Sequence, residues 1–112
     1  ITEQKKSEEE LAHQAYYDAL TGLANRIHLE DHVAKVINSS KRYHEKFGIF
    51  FLDLDKFKII NDTHGHQVGD EVLLIVSQRL VNAVRKSDMV GRLGGDEFVI
   101  VVTDAGTDDA LL

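Results

Sequence analysis

A pair of glycines joins two apolar segments near the end of this 112-residue sequence. Residues 89–93 precede Gly94 and Gly95, and residues 96–102 follow them. Glycine readily adopts the positive φ angles that a tight connection between two strands requires. The spacing therefore predicts an antiparallel hairpin, which commits part of the chain to a β-sheet.

The rest of the sequence alternates helical patterns with one further strand. Residues 49–52 are apolar on both faces, as in a central strand. The remaining patterns predict helices over residues 1–20, 25–46 and 70–85 and a short helical turn through Phe57 and Ile60. Asn25 is the expected cap of the second helix, and Gly106 and Thr107 open another. This order predicts an α/β sandwich of the α+β kind, with helices on one or both faces of a sheet that contains antiparallel strands.

The overall charge excludes one class of partner. The chain carries a formal net charge of −6 and a pI of about 5.4, whereas a protein that wraps a nucleic-acid backbone needs a basic face. The absence of cysteine excludes disulfides and thiolate metal sites, and no apolar run is as long as a membrane span. We therefore expect no nucleic-acid partner and no membrane contact by this chain. An acidic protein still binds phosphate groups when metal cations bridge the like charges.

Acidic residues border the most apolar segments. Asp53 and Asp55 end the first predicted strand, and Asp96 and Glu97 lie in the hairpin. Residues at i and i+2 share a face of a strand, so Asp53 and Asp55 can point the same way. If the two strands are neighbours, Asp53 and Asp96 converge at one end of the sheet, where a bridging Mg²⁺ or Mn²⁺ would relieve their repulsion. The alternative is that these acids form turns and cap helices, Asp55 in particular.

Four motifs stand in order along the sequence: DALTGLANR at 18–26, FLDLDKFKIIND at 51–62, GHQVGD at 65–70 and GGDEF at 94–98. Each motif alone is weak, but at this spacing the four resemble the GGDEF family of diguanylate cyclases. The resemblance implies a sheet with helices packed on its faces, as in the nucleotidyl cyclases and the polymerase palm. It also implies that residues 18–112 are a GGDEF domain truncated at its C-terminus, because family members continue through a further helix and strands.

The activity implied by the resemblance is the condensation of two GTP molecules into cyclic di-GMP and two pyrophosphates, in bacterial second-messenger signalling. The 3′-hydroxyl of each GTP attacks the α-phosphate of the other, and a homodimer is required because each protomer would hold one GTP. Asp53, Asp96 and the carbonyl of Leu54 would hold two divalent cations, Mg²⁺ or Mn²⁺. Asp96 or Glu97 is the candidate proton acceptor, and Lys58 is expected to stabilise charge on the phosphate.

The resemblance also implies positions that contact the substrate. Asn61 and Asp70 match guanine-contacting positions, and His66 matches a further substrate position. The alternatives are a helix N-cap for Asp70 and an ordinary loop residue for His66. Three further predicted substrate positions are Phe57, Gly94 and Gly95.

An R-x-x-D sequence, Arg85 to Asp88, lies just upstream of the hairpin. It resembles the product-inhibition site of the family, in which the Arg and the Asp contact cyclic di-GMP. The alternative is a solvated helix end with a cation near the helix C-terminus.

Residues 1–17 are predicted to be a signalling linker helix, and their first residues resemble the tail that follows a PAS sensor domain. We therefore expect a longer, sensor-linked parent and a cytoplasmic location, and an upstream membrane anchor in the parent is compatible with this. Three other function classes stay open: a non-catalytic receptor for GTP or cyclic di-GMP, a dimerisation scaffold, and a cyclase that makes a 3′,5′-cyclic mononucleotide. The intact signature at 94–98 counts against the receptor.

Overall fold

The structure, a computed structural model, describes residues 15–104. Its elements are α1 (Arg26–Tyr43), β1 (Phe47–Asp53), α2 (Phe57–His64), α3 (His66–Ala83), β2 (Met89–Gly94) and β3 (Glu97–Thr103). The predicted helix from Gly106 and most of the one over residues 1–20 lie outside the described residues. The latter ends earlier than predicted, because residues 15–16 are helical but Tyr17 already forms a β-bridge with Ala24. No helix within residues 15–104 is long and apolar enough to cross a bilayer.

The three strands form one antiparallel sheet in the order β1–β3–β2. The predicted hairpin is confirmed, but its turn consists of Gly95 and Asp96, because Gly94 still belongs to β2. The φ angles of Gly94 and Gly95 are +153° and +51°, which residues with a side chain rarely adopt. The two glycines therefore shape the turn that carries Asp96.

Helices cover both faces of the sheet. Alternate residues of β3 point to opposite sides, so the strand contributes to a separate core cluster on each face. On one side, Phe98 lies in a core cluster with Phe57 of α2 and Leu73 of α3. On the other side, Val99 and Val101 pack in a second cluster with buried residues of α1. This arrangement confirms the α+β sandwich predicted from the order of elements.

The helix boundaries depend on individual residues. Asn25 caps α1 as predicted, and its side-chain oxygen accepts a backbone N–H at 3.0 Å. The start of α3 differs from the prediction, because the helix begins at His66 and includes Gly69. Its N-cap position is Gly65, so Asp70 is not an N-cap and His66 is not a loop residue.

Phe98 and Phe51 offer a matched test of this core. Phe98 is fully buried at 0% exposure, whereas Phe51 on the neighbouring strand is 75% exposed. We expect Phe98→Ala to lower the free energy of unfolding by about 3–5 kcal/mol, because it removes buried apolar surface and leaves a cavity. Phe51→Ala should change that free energy by less than about 1 kcal/mol. Urea denaturation followed by circular dichroism measures both values, and equal losses would contradict this packing.

Candidate active site

The ends of β1 and β3 bring acidic residues from two parts of the sequence to one end of the sheet. The antiparallel register pairs Asp53 with Glu97. The Leu54 N–H donates to the carbonyl oxygen of Asp96 at 3.3 Å. Paired residues in an antiparallel ladder share a face, so the side chains of Asp53 and Glu97 lie on the same side of the sheet. Asp53 and Asp96 therefore lie at the same end of the sheet, as predicted, whereas their sharing of a cation stays a prediction.

Asp55 lies outside β1, so it does not share a strand face with Asp53 as its spacing predicted. β1 ends at Asp53, and Asp55 and Lys56 form a turn before α2, so the alternation of a strand does not extend to Asp55. The N-cap position of α2 is Lys56, which has a φ of +60° and makes no side-chain cap. The alternative prediction that Asp55 caps this helix is therefore also wrong.

The acidic side chains at the end of the sheet are open to solvent. Asp53 and Glu97 are exposed and Asp96 is half-buried. Within residues 15–104, no three His, Asp or Glu side chains are grouped to hold a metal ion. The predicted donors are nevertheless all hard oxygens, which Mg²⁺ and Mn²⁺ prefer, and solvent access leaves room for the waters that Mg²⁺ retains. The chemistry of these donors therefore fits such a cation.

The candidate substrate residues lie on α2 and on the first turns of α3. Lys58 and Asn61 are three residues apart on α2 and share a face of that helix, and Lys58 is exposed while Asn61 is half-buried. His66 and Asp70 are four residues apart on α3, share a face and are both exposed. Phe57 differs from these four, because it is 9% exposed and lies in the core cluster. This position gives Phe57 a packing role, and its contact with substrate stays a prediction.

Arg92 links the hairpin turn to a loop that is distant in the sequence. Its guanidinium donates to the carbonyl oxygen of Gly95 at 3.0 and 2.8 Å, and to the two carboxylate oxygens of Asp18 at 3.2 and 3.1 Å. Asp18 also accepts hydrogen bonds from the amide and the hydroxyl of Thr21. We call Asp18, Arg92 and Gly95 the Arg92 clamp. Sequence reasoning missed the clamp because 74 positions separate Asp18 from Arg92.

The loop after α3 holds Arg85 against Asp88. The Arg85 backbone N–H donates to Asp88 Oδ2 at 2.9 Å, and Arg85 Nε lies 3.6 Å from the same oxygen. The Arg85 guanidinium also donates to the carbonyl of Thr103 at 2.7 Å. The Asp88 side chain is 4% exposed, and its Oδ1 has no hydrogen-bond partner within residues 15–104. The R-x-x-D sequence thus forms a local ion pair that leaves one buried acceptor atom unsatisfied.

Comparison with known proteins assigns the chain to a family. Residues 15–112 match the family described as diguanylate cyclase, GGDEF domain. The chain belongs to the GGDEF family. This GGDEF domain is 47% identical over 107 residues to the signaling protein YkoW of Bacillus subtilis and 42% identical over 102 residues to diguanylate cyclase TpbB of Pseudomonas aeruginosa. The two alignments cover 96% and 90% of this chain, but only 13% and 23% of the lengths of these relatives.

A solved structure has the same fold as this GGDEF domain. The coiled coil and GGDEF domain of DgcB from Caulobacter crescentus, in complex with c-di-GMP, matches with a TM-score of 0.84 and 28% sequence identity. The match covers 94% of this chain and 56% of that one. The fold that the sequence resemblance implied is therefore confirmed, whereas the PAS-like tail at the N-terminus stays a prediction.

The groups that bind Asp18 also lower the pKa of its carboxyl in this GGDEF domain. Burial acts to raise the pKa of the Asp18 carboxyl, but hydrogen bonds from Thr21 and Arg92 and the positive charge of Arg92 outweigh it. The pKa of Asp18 is therefore lowered from its ordinary value of 3.8. A lowered pKa in the folded state contributes stability above that ordinary value, and the contribution is lost as the pH falls through the folded-state pKa.

Asp18→Asn tests the clamp. We expect the variant to lose about 1–3 kcal/mol of unfolding free energy at neutral pH, because Arg92 loses a charged acceptor. The difference from wild type should shrink as the pH falls below 3.8 and through the lowered folded-state pKa, since the carboxyl takes up a proton over this range. Urea denaturation between about pH 7 and about pH 3 measures the difference, with Asp31→Asn, an exposed position of α1, as the control. A difference that does not change with pH, or an equal loss in the control, would rule out this role for Asp18.

Proposed function

We propose that this GGDEF domain is the catalytic domain of a diguanylate cyclase, which condenses two GTP molecules into cyclic di-GMP and two pyrophosphates. The observation that carries the proposal is the register of β1 and β3, in which Asp53 and Leu54 adjoin the turn that bears Asp96. The intact signature at residues 94–98 supports it, as does the 42% identity to diguanylate cyclase TpbB.

The end of the sheet would serve as the cation site. The carboxylates of Asp53 and Asp96 and the carbonyl of Leu54 would hold two Mg²⁺ or Mn²⁺ ions. Such cations, when bound, neutralise the triphosphate, activate the attacking hydroxyl and stabilise the leaving group. Their presence would allow a chain with a net charge of −6 to accept an anionic substrate.

The chain's own groups would supply the remaining chemistry. The 3′-oxygen of each GTP forms a bond to the α-phosphorus of the other GTP, and the bond from that phosphorus to pyrophosphate breaks. Asp96 or Glu97 accepts the proton of the hydroxyl. Lys58, exposed on α2, contacts the phosphates and stabilises the charge that develops on them. Gly94 and Gly95 have no Cβ, which lets the backbone of the turn approach the nucleotide closely.

Guanine would be selected by Asn61 and Asp70. Guanine presents its N1–H and N2–H donors side by side, and amide and carboxylate oxygens accept such a pair. Asn61 lies on α2 and Asp70 on the following helix, so the selection would come from the junction of α2 and α3. His66 shares a face of α3 with Asp70 and would contact the same substrate.

The reaction would also need two copies of the domain. Each site would hold one GTP, so a homodimer must bring two sites face to face before either hydroxyl can reach the opposite phosphate. Residues 1–17, as a linker helix after a sensor domain, would set the geometry of that dimer. The reaction would take place in the cytoplasm, where GTP is available.

Arg85 and Asp88 would bind the product and inhibit the enzyme. The Arg85 side chain is 43% exposed, so its guanidinium is accessible to a ligand, and Asp88 is its ion-pair partner. The structure of DgcB was solved in complex with c-di-GMP, which supports product binding by this kind of domain. Synthesis would therefore slow as cyclic di-GMP accumulates.

Substitution of single carboxylates tests the catalytic proposal. In the longer parent protein, the wild type should form cyclic di-GMP from GTP and Mg²⁺, and Asp53→Asn or Asp96→Asn should lower the rate by about a hundredfold or more, because each removes a cation ligand. Chromatographic separation of the nucleotides measures the rate, and Asp31→Asn on α1 should retain it. Unchanged GTP with the wild-type protein would favour the non-catalytic receptor, and a monomeric cyclic product would favour the mononucleotide cyclase.

Arg85→Ala tests the regulatory proposal. The concentration of cyclic di-GMP that halves the rate should rise by about tenfold or more, because the guanidinium that pairs with the product is lost. Arg79→Ala removes an exposed Arg from α3 and should leave this concentration unchanged. Product inhibition that persists in Arg85→Ala would show that the regulatory site lies elsewhere.

A further inference from the structure

Gly69 lies inside a helix although glycine is a poor helix former. The surroundings of Gly69 explain why glycine occupies this position. It is the fourth residue of α3 and is buried. A Cβ at this position would overlap the side-chain oxygen of Asn61, at 2.9 Å from Asn61 Cγ and 3.4 Å from Phe57 Cζ. Any side chain at position 69 must therefore displace Asn61, so clearance for Asn61 accounts for the glycine.

The Asn61 side chain is confined where α2 meets α3. The Asn61 carbonyl accepts the Gly65 N–H at 2.8 Å, and the Gly65 carbonyl accepts the Gly69 N–H at 3.2 Å. One turn before Asn61, Phe57 anchors α2 in the core. The Asn61 amide therefore rests against the backbone of Gly69, the residue that precedes Asp70.

The side-chain oxygen of Asn61 lacks a hydrogen-bond donor within the described residues. This atom, Oδ1, is buried. A buried acceptor without a donor costs free energy, so a side chain free to move would turn towards water. Packing against Gly69 therefore holds this amide in place.

We propose that Gly69 is a positioning residue for guanine recognition. Because Gly69 has no side chain, the Asn61 amide can lie against α3 at the residue that precedes Asp70, and a side chain at position 69 would move Asn61 from the place where it is proposed to contact guanine. This inference rests on the proposed function, in which Asn61 and Asp70 contact guanine. Gly69 itself touches no substrate and acts through Asn61.

A double-mutant cycle of Gly69→Ala and Asn61→Ala in the full chain tests the proposal. Calorimetry measures the binding of GTP, and separately of ATP, in the presence of Mg²⁺. We expect Gly69→Ala to weaken GTP binding about tenfold and to lower the preference for GTP over ATP, because the Asn61 amide is displaced. Asn61→Ala should have the same effects, and the double variant should bind GTP no more weakly than Asn61→Ala alone. Asn82→Ala, at the exposed far end of α3, is the control and should bind GTP as the wild type does.

Melting temperatures add a measurement that does not depend on nucleotide. Gly69→Ala should lower the melting temperature when Asn61 is present, because the added Cβ overlaps the Asn61 side chain. Alanine is otherwise the better helix former. The same substitution should raise it in the Asn61→Ala background, where the obstructing atoms are gone. If Gly69→Ala alone does not fold, the double variant decides: a folded protein that binds GTP like Asn61→Ala supports the coupling, and an unfolded one overturns it.

Failure of this inference differs from failure of the proposed function. The role of Gly69 is overturned if Asn61→Ala weakens GTP binding and Gly69→Ala does not, or if the two losses add in the double variant. A wild-type protein that binds no GTP would contradict the proposed function itself, and the guanine role of Gly69 with it. Normal GTP binding by Asn61→Ala would likewise remove Asn61, and therefore Gly69, from guanine recognition.

Discussion

The antiparallel pairing of β1 with β3 is the interaction on which the candidate active site depends. Its register sets Asp53 opposite Glu97 and Leu54 beside Asp96. A slip of one residue would turn every side chain of a strand to the other face, and Phe98, which is fully buried, would leave its core cluster. Burial of apolar side chains therefore determines where the acidic ones lie.

The hairpin turn is shaped by its two glycines and by Arg92, which precedes the sequence signature. Gly94 and Gly95 supply the positive φ angles of the turn, and Arg92 binds the carbonyl of Gly95. Through Asp18, the same guanidinium is tied to the segment that follows the predicted linker helix. The clamp therefore joins the entry of the domain to the turn that carries Asp96, although the two are far apart in the sequence.

Local signals were sufficient to predict the hairpin and the start of α1, because paired glycines and the Asn25 cap act over a few residues. The start of α3 was missed, because glycine disfavours a helix and the packing of Gly69 against Asn61 is a tertiary contact. Phe57 was assigned to the substrate by its motif, but an apolar side chain at a helix start is equally suited to the core. The Arg92 clamp and the exposure of the carboxylates depend on how distant segments pack, which periodicity and spacing do not encode.

Paramagnetic broadening by Mn²⁺ tests most directly whether Asp53, at the end of β1, and Asp96, in the hairpin turn, share cations at one end of the sheet. Backbone amide signals of the protein with GTP are recorded as Mn²⁺ is added, since broadening falls steeply with distance from the ion. The strongest broadening is expected at Leu54, Asp96 and Glu97, with little at Phe47 and Thr103, which pair at the opposite end of the same two strands. Broadening centred on that opposite end, or spread evenly along both strands, would contradict the claim.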